Sequence, residues 1–328
     1  MGSGSTSSAA PPTSGRPTLV YIVGTGRCGS TLLDILMGAD TATQSTGELM
    51  MLAASHTGLE RTCSCGKPDT ECPFWTGVTG RVGGVPTMQA LGAGLRYEGT
   101  KGMLKSMVLA RRSRGRVRRH AQDLGRVVEA IAAESGKLRV VDSSKSLGRG
   151  YLYSYLPPSD VDVRYIHMVR DGRAFLWSKK ARPDGEAVGK RPPNRSPRRL
   201  ALLWATTNAL ASTVFPRLSR PYLRVRYEDL TADPHGTLGR IGAFLGVDFA
   251  PVSRMVEQGT PLPIGHVVGG NRLRFSQKLT LRTDVEWERS LPLRDRRTFW
   301  RIAGWLARRY GYSKESAAVP PAAIPATS

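Results

Sequence analysis

Acidic residues are scarce in this chain: 26 Asp and Glu stand against 48 Lys and Arg, a formal net charge of +22 over 328 residues. Long apolar runs are missing, since no stretch approaches the roughly 18–20 residues that span a bilayer. The start lacks a basic segment followed by an apolar one, so a secretory signal is not expected. Four cysteines, three of them bunched, are too few for a secreted disulfide framework. These absences point to a cytoplasmic protein. What is present, 40% hydrophobic and 7% aromatic content, suits a globular chain that builds its core without staples. The positive excess favours polyanionic partners: nucleic acid, an anionic membrane or a phosphorylated ligand.

Residues 1–16 and 313–328 are Gly, Ser, Ala and Pro-rich and read as disordered tails. Between them, 17–312 reads as one domain, with Pro/Gly-rich weak points at 182–197 and around 80–94. Short apolar strands are expected at Thr18–Val23, Leu138–Asp142, Val163–Val169 and Leu223–Leu230. Helical patterns begin near Ser30, cover Pro234–Leu245, and recur at Leu200–Phe215 and Arg297–Tyr312, where Trp204, Trp300 and Trp305 are expected in the core. Strands alternating with helices imply an α/β fold, a three-layer P-loop-like arrangement with a central, mostly parallel sheet flanked by helices.

The sharpest local pattern is GTGRCGST, Gly24–Thr31, after a strand and opening a helix. It matches the phosphate loop GxxxxGK(S/T) at every fixed position except the Lys, which is Ser30. Glycines let backbone N–H groups converge on an anion, and a helix N-terminus adds partial positive charge. Arg27 supplies the side-chain cation. A P-loop kinase acting on a small molecule remains an alternative, with Asp142 as the strand-end magnesium ligand. A second anchor is VRDGRAFLWS, where Arg170 ends a strand and Ser178 lies two turns into the next helix. The two can share an anion only if that helix packs back over the sheet edge.

Together GTGRCGSTLL, VRDGRAFLWS and RYEDLTADP (Arg226–Pro234) resemble the sulfotransferases that use 3′-phosphoadenosine 5′-phosphosulfate (PAPS). The likeness is closer to the carbohydrate and tyrosylprotein branches and their bacterial relatives than to the cytosolic aryl branch, whose loop has Lys where Arg27 stands. It runs from about Thr18 to Tyr312, and the middle, about 50–135, reads as a variable acceptor and lid region.

The resemblance implies that Gly26, Arg27, Cys28, Gly29, Ser30 and Thr31 hold the 5′-phosphosulfate, and that Arg170 and Ser178 hold the 3′-phosphate. It places Tyr227 near the nucleotide, and makes Arg272 and Arg274, in HVVGGNRLRF (His266–Phe275), phosphate ligands from a late closing loop. It makes Glu48 the general base and Lys145 the catalytic cation, with Arg27 assisting and Ser276 adding a hydrogen bond. The acceptor would be a hydroxyl of a carbohydrate, glycolipid or specialised metabolite. PAPS serves as co-substrate and no metal is required, because the leaving group is already a phosphate.

Three features stand outside that scheme. Cys63, Cys65 and Cys72 offer thiolates for zinc with His56 as fourth ligand, a disulfide from Cys63 or Cys65 to Cys72, or plain thiols packing a lid. The spacing departs from paired CxxC, and a cytosolic setting favours thiols. The basic run 105–120 would charge nearly every face of a helix and suits an anionic membrane surface or an acidic acceptor. Its arginines are not interleaved with aromatics, which weighs against a single-stranded nucleic-acid surface and a basic nucleic-acid-binding protein. Among histidines, His167 lies in an apolar strand and reads as core; His120 and His235 show no partner, and His56 and His266 rank below Glu48 as site residues.

Overall fold

The computed structural model describes residues 15–59, 61–108, 114–181, 195–276, 278–279 and 281–315, with the side chains of Val108 and Arg114 left aside. Most of both tails, most of the 182–197 segment and part of the basic run lie outside the described residues. Five strands build the sheet: β1 Thr18–Gly24, β2 Thr43–Ser45, β3 Arg139–Lys145, β4 Asp162–Val169 and β5 Tyr222–Arg226. Their order is β2-β3-β1-β4-β5, and every pairing is parallel.

Parallel strands must be reached by crossovers, and helices on both faces bury both sets of side chains. Strand β1 shows the alternation directly. Leu19, Tyr21 and Val23 enter one core with Val140, Val163 and Tyr165, beneath the helices Arg114–Ser135 and Leu147–Tyr153. Val20 and Ile22 enter the opposite core with Val141, Ile166 and Met168, beneath Ser30–Gly38 and Pro234–Leu245. A third cluster gathers Phe175, Trp204, Trp287 and Phe299.

Five differences from expectation stand out. The polar strand β2 carries no β-branched or aromatic run to announce it. The fourth strand stops at Arg226 instead of Leu230; Tyr227–Ala232 turns into a short helix once its pairing with β4 ends at Val169. The Gly-rich stretch near 80–94 is largely helical, Pro73–Arg81 and Val85–Gly94. Trp305 is on the solvent side of its helix, 57% exposed, while Trp204 is fully buried. The start of the helix Arg114–Ser135 is amphipathic: Val117 and His120 point inward and Arg116, Arg118 and Arg119 outward.

Candidate active site

Because every strand runs the same way, all five C-terminal ends meet at one edge of the sheet. Each end delivers a residue singled out in the sequence: Arg27 after β1, Glu48 after β2, Lys145 at the end of β3, Arg170 after β4 and Tyr227 after β5. Strand order reverses at β1, and ligands of open parallel sheets bind in the crevice at such a reversal.

The loop after β1 needs its glycines. Gly24 has φ +156°, and a Cβ there would sit 2.4 Å from the Met168 carbonyl oxygen. Gly29 has φ +95°, and a Cβ there would meet the Tyr227 ring at 2.4 Å. Arg27 is left-handed without being glycine, at φ +68°. Ser30 and Thr31 are buried and open the helix Ser30–Gly38, whose first N–H groups have no intrahelical acceptor. Burial pushes the Cys28 thiol up, and the Lys145 ammonium pulls it part of the way back.

Glu48 and Lys145 form the centre of the cluster. Lys145 Nζ donates to Glu48 Oε1 at 2.6 Å and to the Ser143 carbonyl at 2.8 Å. Their side chains are 20% and 12% exposed, so the pair is not sealed in the core. Backbone ties hold both ends in place: Ser143 N–H donates to the Gly47 carbonyl at 2.7 Å and Met50 N–H to Ser144 Oγ at 3.1 Å.

On the far side of the loop, Arg170 is buried. Its Nη1 donates to the Arg27 carbonyl at 3.2 Å, its Nη2 to Asp284 Oδ2 at 2.9 Å, and its guanidinium stacks on Tyr227 at 4.5 Å. Ser178 is buried in the helix Gly172–Ala181. The neighbouring Lys179 brings Nζ to 3.4 Å from a Cβ placed on Gly26, so that side chain reaches the loop.

The late loop covers the same edge. Glu48 N–H donates to the Val268 carbonyl at 2.8 Å, and Asn271 N–H to Thr31 Oγ1 at 3.2 Å. Arg272 is exposed. Arg274 is 1% exposed and turned inward, donating to the carbonyls of Gly270, Asn271 and Thr62 at 3.1, 3.4 and 3.4 Å. In this arrangement these bonds brace the loop. Ser276 Oγ donates to the Lys278 carbonyl at 3.0 Å, a contact within its own loop.

The whole is a crevice that gathers arginine, lysine and helix N–H groups around a carboxylate–ammonium pair. Two buried polar atoms fit that description: Thr25 Oγ1 and Arg170 Nε lack a partner among the described residues. Buried groups of this kind are costly unless a ligand or water completes them.

A profile of the sulfotransferase family matches residues 17–251. The chain belongs to the sulfotransferase family. The sulfotransferase domain of the Synechococcus PCC 7002 olefin synthase is 21% identical with a TM-score of 0.50, over 94% of this chain and 99% of that one. The sulfotransferase domain from the curacin biosynthetic pathway is 20% identical with a TM-score of 0.54, over 89% and 99%. At such identities the likeness carries the fold. No curated protein matches the chain.

Within this sulfotransferase the kinase alternative has no metal ligand at Asp142. That carboxylate is fully buried and accepts from Arg149 Nε at 2.8 Å and Tyr153 OH at 2.9 Å. Arg149 Nη1 also donates to Glu98 Oε2 at 2.7 Å, and His120 Nε2 meets Glu98 Oε1 at 2.9 Å, so His120 has the partner the sequence did not reveal. His167 is a core residue as expected, with Tyr222 OH on Nδ1 at 2.8 Å and Asn208 Oδ1 on Nε2 at 2.9 Å. No helix among the described residues is long and apolar enough to cross a membrane.

Sequence reasoning missed two residues of the site. Lys179 is concealed because its reach depends on how its helix docks. Asp34 lies beneath the loop with both oxygens engaged: Oδ1 accepts from Ser45 Oγ at 2.7 Å, and Oδ2 from Gly47 N–H and Ser143 Oγ at 2.8 Å each. It ties β2 and β3 together just below Glu48 and Lys145. Burial raises its carboxyl to about 7, against the lowering effect of those three donors. A polar residue in a helix that is otherwise apolar is the signal that could have found it.

Proposed function

We propose that this chain transfers a sulfuryl group from PAPS to a hydroxyl of a carbohydrate, glycolipid or specialised metabolite, with Glu48 as general base. The observation that carries the reading is the Glu48–Lys145 pair beside the Gly24–Thr31 loop. When bound, PAPS supplies the sulfuryl group and a phosphate that can leave without a metal ion.

Arg27 and the N–H groups of Cys28–Thr31 suit the 5′ end of the nucleotide, where negative charge increases as the bond to sulfur breaks. Arg170 and Ser178, with Tyr227 stacked on the Arg170 guanidinium, suit the 3′-phosphate. Glu48 takes the proton of the acceptor hydroxyl. Lys145 already holds Oε1, so Oε2 is the oxygen that receives it. Lys145 orients the carboxylate and adds positive charge next to the loop, and positioning of this kind supplies most of the rate in related group transfers. Arg272 remains a ligand that the late loop can offer, whereas Arg274 is assigned to bracing it. The outward Arg116, Arg118 and Arg119 suit an acidic acceptor or an anionic membrane surface.

The test is calorimetric titration with 3′,5′-adenosine bisphosphate, the spent co-substrate, against ATP with Mg²⁺. Binding of the bisphosphate and not of ATP is expected. The reverse result would make Gly24–Thr31 an ordinary nucleotide loop and remove the PAPS assignment.

A further inference from the structure

Beside the late loop, three cysteines and one histidine converge. The ligand atoms of Cys63, Cys65, Cys72 and His266 all lie within 4.8 Å of one another. Cys72 Sγ is 3.7 Å from Cys65 Sγ and 3.7 Å from Cys63 Sγ. His266 Nδ1 lies 3.1 Å from Cys72 Sγ and 3.7 Å from Cys63 Sγ. All three thiols are free.

These separations have a simple geometric meaning. Zinc bonds of about 2.3 Å to sulfur and about 2.0 Å to nitrogen, at tetrahedral angles, put sulfurs about 3.8 Å apart and sulfur and nitrogen about 3.5 Å apart. The four separations centred on Cys72 and His266 fall within about 0.4 Å of those figures, and the other two pairs lie within 4.8 Å. A disulfide would single out one pair at about 2 Å, yet Cys72 is equidistant from both partners.

The surroundings are built for the same purpose. Cys63 N–H donates to the Lys67 carbonyl and Gly66 N–H to the Cys63 carbonyl, at 2.8 and 2.9 Å, with Gly66 left-handed at φ +89°. The turn directs the N–H groups of Cys65 and Lys67 at the sulfurs of Cys63 and Cys65, while those of Phe74 and Trp75 are directed at Cys72. N–H donors aimed at sulfur orient the side chains as ligands. Phe74 stacks on the His266 ring at 5.0 Å and 8°, fixing its plane. Ser64 donates to the Gly265 carbonyl and accepts from Val267 N–H, so His266 is tied on both sides to the turn that carries the cysteines. His56 is elsewhere, its Nδ1 at 3.0 Å from the Leu52 carbonyl.

We propose that Cys63, Cys65, Cys72 and His266 form a structural zinc site. Four protein ligands close the coordination sphere and leave no position for substrate, as structural sites do. Binding would displace the thiol protons and staple the 63–72 turn to the late loop two residues before Val268, which pairs with Gly47 and Glu48. The site does not depend on the sulfotransfer reading.

The experiment is metal analysis of the full chain purified without chelator under reducing conditions, with His266→Ala and His56→Ala beside it. About one equivalent of zinc is expected in the parent and in H56A, and loss of stoichiometric metal in H266A. Cobalt substitution of the parent should give the intense ligand-field bands of a tetrahedral thiolate site, a readout that survives if H266A fails to fold. A parent chain that is metal-free, and remains so after incubation with zinc and reductant, overturns the proposal. So does a mapped disulfide from Cys72 to Cys63 or Cys65, or full zinc retention in a folded H266A.

Discussion

Lys145 reaches Glu48 from a left-handed backbone. At φ +67° it is one of only two non-glycine residues with positive φ among the described residues, and the other is Arg27. Both stand at the C-terminal edge of the sheet, and each holds a conformation that glycine would adopt more cheaply. The strained positions are the two cations that the proposed function assigns to the reaction.

Replacing Glu48 by Gln should lower turnover by about 10²–10⁴-fold, the range of a positioned general base. Affinity for 3′,5′-adenosine bisphosphate should hardly change. Single-turnover rates and calorimetry on the same preparation separate the two effects, and a fully active variant removes Glu48 from the mechanism.

Lys145→Gly and Lys145→Ala should both lose turnover but differ in stability. Glycine tolerates the left-handed backbone, so K145G should be the more stable of the two by about 1–2 kcal/mol. Urea unfolding of the two variants makes the comparison; equal midpoints would mean that the backbone relaxes once the side chain is gone.

For Arg27→Ala, bisphosphate affinity should fall about 10- to 100-fold, as expected on losing a charge-assisted contact. Turnover should fall with it. An unchanged dissociation constant would take Arg27 out of the cradle.

Asp34 gives a pH signature. With its carboxyl raised to about 7 by burial, the folded chain keeps a proton that the unfolded chain has released above about pH 4. Its contribution to stability is therefore full below about pH 4 and is lost as pH rises to 7. A neutral amide in its place has no such dependence. Parent minus Asp34→Asn stability should thus fall by about 1.4 kcal/mol per pH unit across that window. His167, lowered to about 4 by burial, acts in the opposite sense as pH falls from 6.5, but it is common to both proteins and cancels. Parallel stability curves would mean that Asp34 is ionised in the fold.

The sheet was legible from sequence where strands are apolar, as in Thr18–Val23 and Val163–Val169, because burial on both faces leaves a continuous hydrophobic run. Strand β2 was not. Its Thr-Gln-Ser is held by pairing with β3 and by the Asp34 carboxylate, both contacts to residues remote in sequence. In the site, glycine spacing revealed the loop and strand ends revealed Arg170. The inward turn of Arg274 was concealed, because a charged loop residue reads the same whether it faces a ligand or its own carbonyls. His266 lies 194 residues from Cys72, and no local pattern joins them. The choice of His56 as fourth ligand favoured proximity in sequence over proximity in space.

Glu48 and Lys145 are 97 residues apart in sequence yet arise from neighbouring strands. The intervening segment is therefore an excursion that leaves the sheet and returns beside its point of departure. The entropy of closing such an excursion grows only logarithmically with its length. Its exposed surface can change without shifting the two strand ends that bracket it, because they are held by sheet pairing. On the proposed function, that surface can diverge under selection for a new acceptor while Glu48 and Lys145 stay in register, so specificity and chemistry evolve on separate parts of one chain.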